Sequence, residues 1–402
     1  MSAPTTADAP LAPPGRDTRV IALIGFAHGV SHFFHLLLPP LFPWLMDEFH
    51  LDYVQVGATM TAFFVVSGIG QALAGLLVDR VGPIRVLAAG IGCFVLAGFG
   101  LALADGLGGL MAVAVVAGLG NSVFHPCDFS VLNRNVSQPR LGHAFSVHSL
   151  SGNLGWALAP LFMTGIASTA GWRVAGACAG LVALPALALV LAGRRHLADV
   201  AQARAAGPNV RTADILRVGP VWLCFVFFLL LTAAFGAFQN FGAPIAQHLY
   251  GLSLTAAAGS LSAYLLAGAV GIVLGGFLTQ RGNHDRTIAL GLAAAAGCAL
   301  VLASGLPEAW AVLPLMAAIG FLTGLAGPSR DMLVRQAATT RFGQSAYGRV
   351  YGFVYSGLDA GLALAPLLFG GLMNAGAYGQ VLAGVALLQA GAIVAALRVG
   401  RG

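Results

Sequence analysis

Three histidines in one apolar stretch, His28, His32 and His35, recur at i, i+4 and i+7, a spacing that puts three imidazoles on one face of a helix. Imidazole titrates near neutral pH and also ligates borderline metals, so this face could pass protons or hold an ion. A later apolar stretch carries Asn121, His125, Cys127 and Asp128, and the next carries His148 and Asn153. Farther along come Gln239 with Asn240, the adjacent Arg330 and Asp331, and Asp359. Arg330 is the candidate anchor for an anion, because a guanidinium keeps its charge and offers a two-pronged donor. His32, His35, His125, Asp128, Gln239, Asn240 and Arg330 are read as solute-binding, and His28, Asp331 and Asp359 as carriers of coupled protons. Two readings stay open beside these. Asp128 and Arg330, at similar depths in their stretches, could form a gate without touching solute, and each histidine could pack as a neutral ring against a backbone carbonyl. No cofactor and no resident metal are expected. If a transition metal or metal chelate were the cargo, its ligands would be His28, His32, His125 and Cys127.

The stretches that hold these residues are far too apolar for a soluble chain of this length: 58% of residues are hydrophobic and only 8% charged. About twelve runs of roughly 20 residues lie between Val20 and Leu397, each able to cross a hydrocarbon core of about 30 Å. Ionisable groups inside such runs are costly, so they mark a functional pathway by default. The basic residues are all arginine, and the net charge is +6. They fall mainly in alternate gaps and at both ends, whereas Asp47, Glu48, Asp52, Asp105 and Glu308 occupy the opposite gaps, with Arg173 the exception. The charge therefore reports topology, with both termini cytoplasmic, and implies no nucleic-acid partner. Cys93, Cys127, Cys178, Cys224 and Cys298 are scattered singly, which argues against a disulfide framework. Neither a Gly-x-Ser-x-Gly elbow, an HExxH nor a P-loop occurs, and the single HxxxH falls short of the several histidine boxes of a lipid oxygenase. An enzyme is not expected.

The chain repeats itself. Gly155-Trp156-Ala157-Leu158-Ala159-Pro160 matches Gly361-Leu362-Ala363-Leu364-Ala365-Pro366, and GLLVDRVGPIR at 75–85 matches GFLTQRGNHDR at 276–286. The expected organisation is a cytoplasmic tail over 1–18, a six-helix bundle over 19–192, a cytoplasmic linker over 193–218 and a second bundle over 219–398. The predicted class is thus an all-α membrane protein with twelve transmembrane helices in two pseudo-symmetric six-helix bundles. Small residues such as Gly152, Gly155 and Ala159 let helices approach closely in lipid. Pro160 and Pro366 each remove a helical hydrogen bond and are expected to bend their helices, with Asn153 beside the first as part of the same gate.

Gly75, Asp79, Arg80, Gly82 and Arg85 together resemble the Gly-x3-Asp-Arg-x-Gly-x2-Arg signature of the major facilitator superfamily. The resemblance implies alternating access around a central cavity lined by the first, fourth, seventh and tenth helices, with these five residues as a conformational latch. Gln280 replaces the acid in the second copy, so only the first half is expected to carry a full latch. Phe124-His125-Pro126, Ser151 to Pro160 and the stretch 38–57 are similar to the fosmidomycin-resistance-type exporters within that superfamily. The function so implied is proton-coupled secondary transport of a small polar or anionic solute across a bacterial inner membrane, with export favoured and uptake of an organic acid as the rival. The expected partners are the solute, protons and membrane lipids, with the protein acting as a monomer.

Overall fold

The structure is a computed structural model describing residues 15–194, 217–278, 283–342 and 347–399, to which the following refers. It contains helices and no β-strand. The first half runs α1 (Arg16–His35), a 3-10 turn (Pro39–Leu41), α2 (Phe42–Phe49), α3 (Tyr53–Val81), α4 (Pro83–Ala102), α5 (Leu107–Asn121), α6 (Phe124–Asn135), α7 (Gln138–Ala170) and α8 (Trp172–Gly193). The second runs α9 (Gly219–Tyr250), α10 (Leu254–Leu278), α11 (His284–Ala303), α12 (Ala309–Phe342), α13 (Tyr347–Asn374) and α14 (Tyr378–Val399).

Eleven segments are long and apolar enough to cross a membrane. Helix α7, 33 residues long, is not among them. Its first half carries Arg140, His143, His148 and Asn153, which dilute its hydropathy although its length is ample. Two apolar runs are interrupted by proline. Pro39 and Pro40, in the 3-10 turn, separate α1 from α2, and Pro43 stands in the first turn of α2. Pro126 cannot donate to the carbonyl of Ser122, and the chain breaks at Ser122–Val123 between α5 and α6. The first helix also starts earlier than the sequence suggested: residues 16–18, expected in the tail, form its first turn. Asp17 is buried there and accepts from the Ser137 hydroxyl and, at 3.3 Å, from the Ser137 backbone N–H, while Arg16 donates to Asn135 Oδ1 at 3.1 Å. An acid in the first turn also suits the positive end of the helix. The remaining expected tail, 1–14, and most of the expected linker lie outside the described residues.

Helix pairs recur along the chain. α1 packs on α7 and α9 on α13; α3 packs on α5 and α10 on α12; α4 packs on α8 and α11 on α14. Contacts between the halves run through α3 with α13 and α7 with α10. The crossings of the first pair sit at the repeated glycines. A Cβ on Gly155 would strike the carbonyl oxygen of Gly29, and one on Gly361 would strike Leu229 O and the Thr232 hydroxyl. Only glycine admits backbones this close. Gly82 is the sole link between α3 and α4, at φ +91°, as Gly171 is between α7 and α8. Left-handed conformations of this kind favour glycine over any residue with a Cβ.

Candidate functional site

Helices α1, α5, α6 and α7 converge on a polar column in the interior of the first half. The α5–α6 break places Asn121 at the end of one helix and His125 in the first turn of the next. Facing them, α1 presents His28, His32 and His35, and α7 presents His148. Asp128 Oδ2 accepts from His148 Nε2 at 3.0 Å, with both side chains buried. The His148 ring stacks on His28 with centroids 3.5 Å apart, and the next ring along α1, His32, lies 4.3 Å from His28. His32 is followed at 4.8 Å by His35, whose Nε2 donates to Asn121 Oδ1 at 2.8 Å. That oxygen also accepts from Ser31 Oγ at 2.6 Å, and Asn121 Nδ2 donates to Ser67 Oγ on α3 at 2.8 Å. The column therefore reads Asp128, His148, His28, His32, His35, Asn121, Ser67.

Several of its polar atoms have no partner within the protein: His28 Nε2, His32 Nδ1, His35 Nδ1, His125 Nδ1 and Asp128 Oδ1. Buried polar groups are normally satisfied, because an unmet donor or acceptor costs about 1–3 kcal/mol. Five such atoms in one column mark it as a place built to meet something polar. It is not sealed on every side. His32 and His125 are only partly buried, and the ring stacked on His125, that of Phe129, is 43% exposed. Toward the second half, His32 contacts Trp156 at 4.2 Å and Trp156 contacts Phe235 of α9 at 5.1 Å.

The column gathers His28, His32, His35, His125 and Asp128, and adds His148, Asn121 and Trp156, which the solute-binding set of the sequence omitted. Cys127 falls elsewhere. It is two residues beyond His125, on the other side of α6, and packs fully buried in the apolar core, so the expected set His28, His32, His125 and Cys127 does not converge. His148 takes the place of the thiol.

Other candidates lie apart. Gln239 and Asn240 are buried on α9, with Asn240 donating to Gly236 O at 2.7 Å. Arg330 lies within the second half, its guanidinium carbon 4.8 Å from the Phe228 ring centre, beside Cys224, Phe227, Ile288 and Ala396. It is not brought together with the histidines. Asp359 sits in the seam between halves, where Gln71 Nε2 donates to it at 3.4 Å and Gly68 packs against it. The same seam continues through Thr61 Oγ1 donating to Ala363 O at 2.9 Å, Gly57 against Pro366, and Tyr53 N donating to Asn374 Oδ1 at 2.7 Å. Asn153 bonds within its own helix, to Ser149 O at 2.9 Å. α7 continues through Pro160 and α13 through Pro366. In the latch motif, Arg80 and Arg85 are exposed and Gly82 makes the turn; Gly75, Asp79 and Asp331 belong to helices, but their surroundings lie outside the described residues, as does Gln280.

A chain whose described residues are all-helical, with eleven membrane-length segments and a polar interior, is a multi-pass membrane protein of the transporter kind. The profile of the Major Facilitator Superfamily matches residues 22–366, and the chain belongs to that family, whose members are transporters and not enzymes. It is 26% identical over 356 residues to the fosmidomycin resistance protein of Escherichia coli K12, covering 87% of this chain and 86% of the relative. It is 26% identical to the membrane sensor protein UhpC of Salmonella typhimurium, covering 81% and 78%. The crystal structure of a bacterial homolog to the human lysosomal transporter Spinster superposes with a TM-score of 0.74 at 14% identity, over 97% of this chain and 98% of that one.

Proposed function

We propose that the chain is a proton-coupled secondary transporter of a bacterial inner membrane, exporting a small polar solute bound at the imidazole column. The observation that carries this reading is the column itself: partnerless polar atoms on two helices, α1 and α6, in the interior of a major facilitator fold, where an intramembrane polar group is expensive unless used. Twelve transmembrane helices follow if α7 is counted, as its length and its partnership with α1 support. The repeated helix pairs support two bundles over 19–192 and 219–398, joined by 193–218, and the arginine pattern supports cytoplasmic termini. The export direction follows the likeness to the fosmidomycin resistance protein.

Alternating access requires the halves to part, and the α3–α13 seam is the contact that must open. Asp359 is the coupling group in this reading. Opening the seam exchanges Gln71 and Gly68 for solvent around its carboxyl, so its protonation and the conformation of the seam are linked. Solute flux in proteoliposomes under an imposed pH gradient tests the proposal. Flux should depend on the gradient in the parent protein, lose that dependence in Asp359→Asn, and fall at least tenfold in His32→Ala. Binding of solute without any flux would identify a sensor, as the likeness to UhpC allows, and would overturn the carrier reading.

A further inference from the structure

Within the column, one ring nitrogen each from His28, His125 and His148 lies within 4.8 Å of the other two. The three rings come from α1, α6 and α7, so no local helix geometry gathers them. Their hydrogen bonds determine which nitrogens are free. His28 Nδ1 faces the carbonyl oxygen of His148 at 2.9 Å, and a carbonyl only accepts, so Nδ1 carries the proton and Nε2 keeps its lone pair. His148 Nε2 likewise donates to Asp128, which leaves the lone pair on Nδ1. His28 Nε2 and His125 Nδ1 have no partner within the protein. A ligating histidine held through its other nitrogen by a carboxylate or backbone carbonyl is the usual second layer of a metal centre. Here two of three candidate ligands already have it.

We propose that His28, His125 and His148 bind a borderline divalent transition-metal ion of the zinc, cobalt and nickel class, and that this ion is the cargo of the column. The inference rests on the proposed carrier reading for the cargo role, but not for the site. Three neutral imidazoles suit such ions and not calcium or magnesium, which demand oxygen ligands. Three protein ligands leave a coordination position open, which suits an ion that must be released; structural sites are closed by four. Tetrahedral bonds of about 2.0–2.1 Å need nitrogens ~3.4 Å apart, so the rings must draw together on binding. His32, partly buried with its ring 4.3 Å from that of His28, is a further imidazole next to the three, and Asp128 is a positioning residue behind His148. Stacked neutral rings that only pack would form the same cluster without binding an ion.

The test uses Co2+ and full-length protein in detergent, with visible absorption reporting coordination and Zn2+ as competitor. The expected result is one ion per chain, displaced by Zn2+. Binding should weaken at least tenfold in His125→Gln and 10–100-fold in Asp128→Asn, the range for loss of a second-layer carboxylate, and stay unchanged in His248→Ala, an exposed histidine outside the column. His125→Gln is chosen because its site is only partly buried; size-exclusion profiles report whether each variant is folded. No binding by folded parent protein up to millimolar Co2+ overturns the site, and so does binding that His125→Gln leaves intact. Zn2+ flux into dye-loaded proteoliposomes then tests the cargo role. Metal binding with no Zn2+ flux overturns that role, and separates its failure from that of the carrier reading, which other solutes probe.

Discussion

His148 Nε2 lies 3.0 Å from Asp128 Oδ2 in a contact closed to solvent on both sides. Removing the acceptor leaves the buried N–H of neutral His148 unmet, which costs about 1–3 kcal/mol, more than the net worth of the hydrogen bond. Asp128→Ala is therefore expected to lower stability by about 1–3 kcal/mol, and Asp128→Asn by less than half of that, because the amide oxygen still accepts from His148. Thermal unfolding in detergent measures both. Equal losses in the two variants would show that His148 does not depend on an acceptor there.

The repeated crossing of α1 with α7 predicts a second contrast. A methyl group at Gly155 collides with the backbone of Gly29, so Gly155→Ala must push the helices apart, at a cost of about 1–3 kcal/mol. Gly165 lies on the same helix with nothing near its missing Cβ. There alanine should be neutral or slightly stabilising, since it has the higher helix propensity. The two substitutions differ only in where the methyl points, so comparing their unfolding temperatures isolates the crossing.

The α3–α13 seam can be locked. A Cβ built on Gly370 would lie 3.2 Å from Val54 Cα, well within reach of a disulfide. Val54→Cys with Gly370→Cys, in a background lacking the five native cysteines, should cross-link on oxidation and stop transport at least tenfold, with recovery on reduction. Transport that persists in the cross-linked protein would mean that this end of the seam never opens.

Much of this architecture is written in the sequence, because hydropathy length and arginine placement are local signals. Arg173, the one basic residue on the acidic side, has a physical explanation that only contacts provide. It pairs with Glu48 at 2.7 Å and donates to the carbonyls of Ala102 and Ala104, so its charge is answered where it stands. The break between α5 and α6 was signalled by Pro126, but an apolar run longer than a single span concealed it. The spacing of His28, His32 and His35 gave one face of the column. What it could not give was the rotation of α6 and α7 that turns His125 and His148 inward and Cys127 into the core. That rotation is set by packing such as Gly155 on Gly29, where two residues distant in sequence fix how deeply helices interlock.

Arg330 carries the last prediction. The sequence offers it as an anion anchor, but its guanidinium lies over Phe228 among residues of α9, α11 and α14, away from the imidazoles. A cation over an aromatic ring contributes about 0.5–2 kcal/mol, and the arginine stem adds apolar contact. If Arg330 serves mainly to hold α12 against α9, Arg330→Met should keep the stem contacts, lower stability by about 1–2 kcal/mol and leave solute affinity at the column within twofold of the parent. An anchor for an anionic solute would instead lose affinity at least tenfold with little change in stability. Ligand titration and thermal unfolding on the same preparation separate the two, and Arg330→Lys sharpens the result. Lysine restores charge without the planar fork, so recovery of affinity in that variant alone would return Arg330 to the solute path.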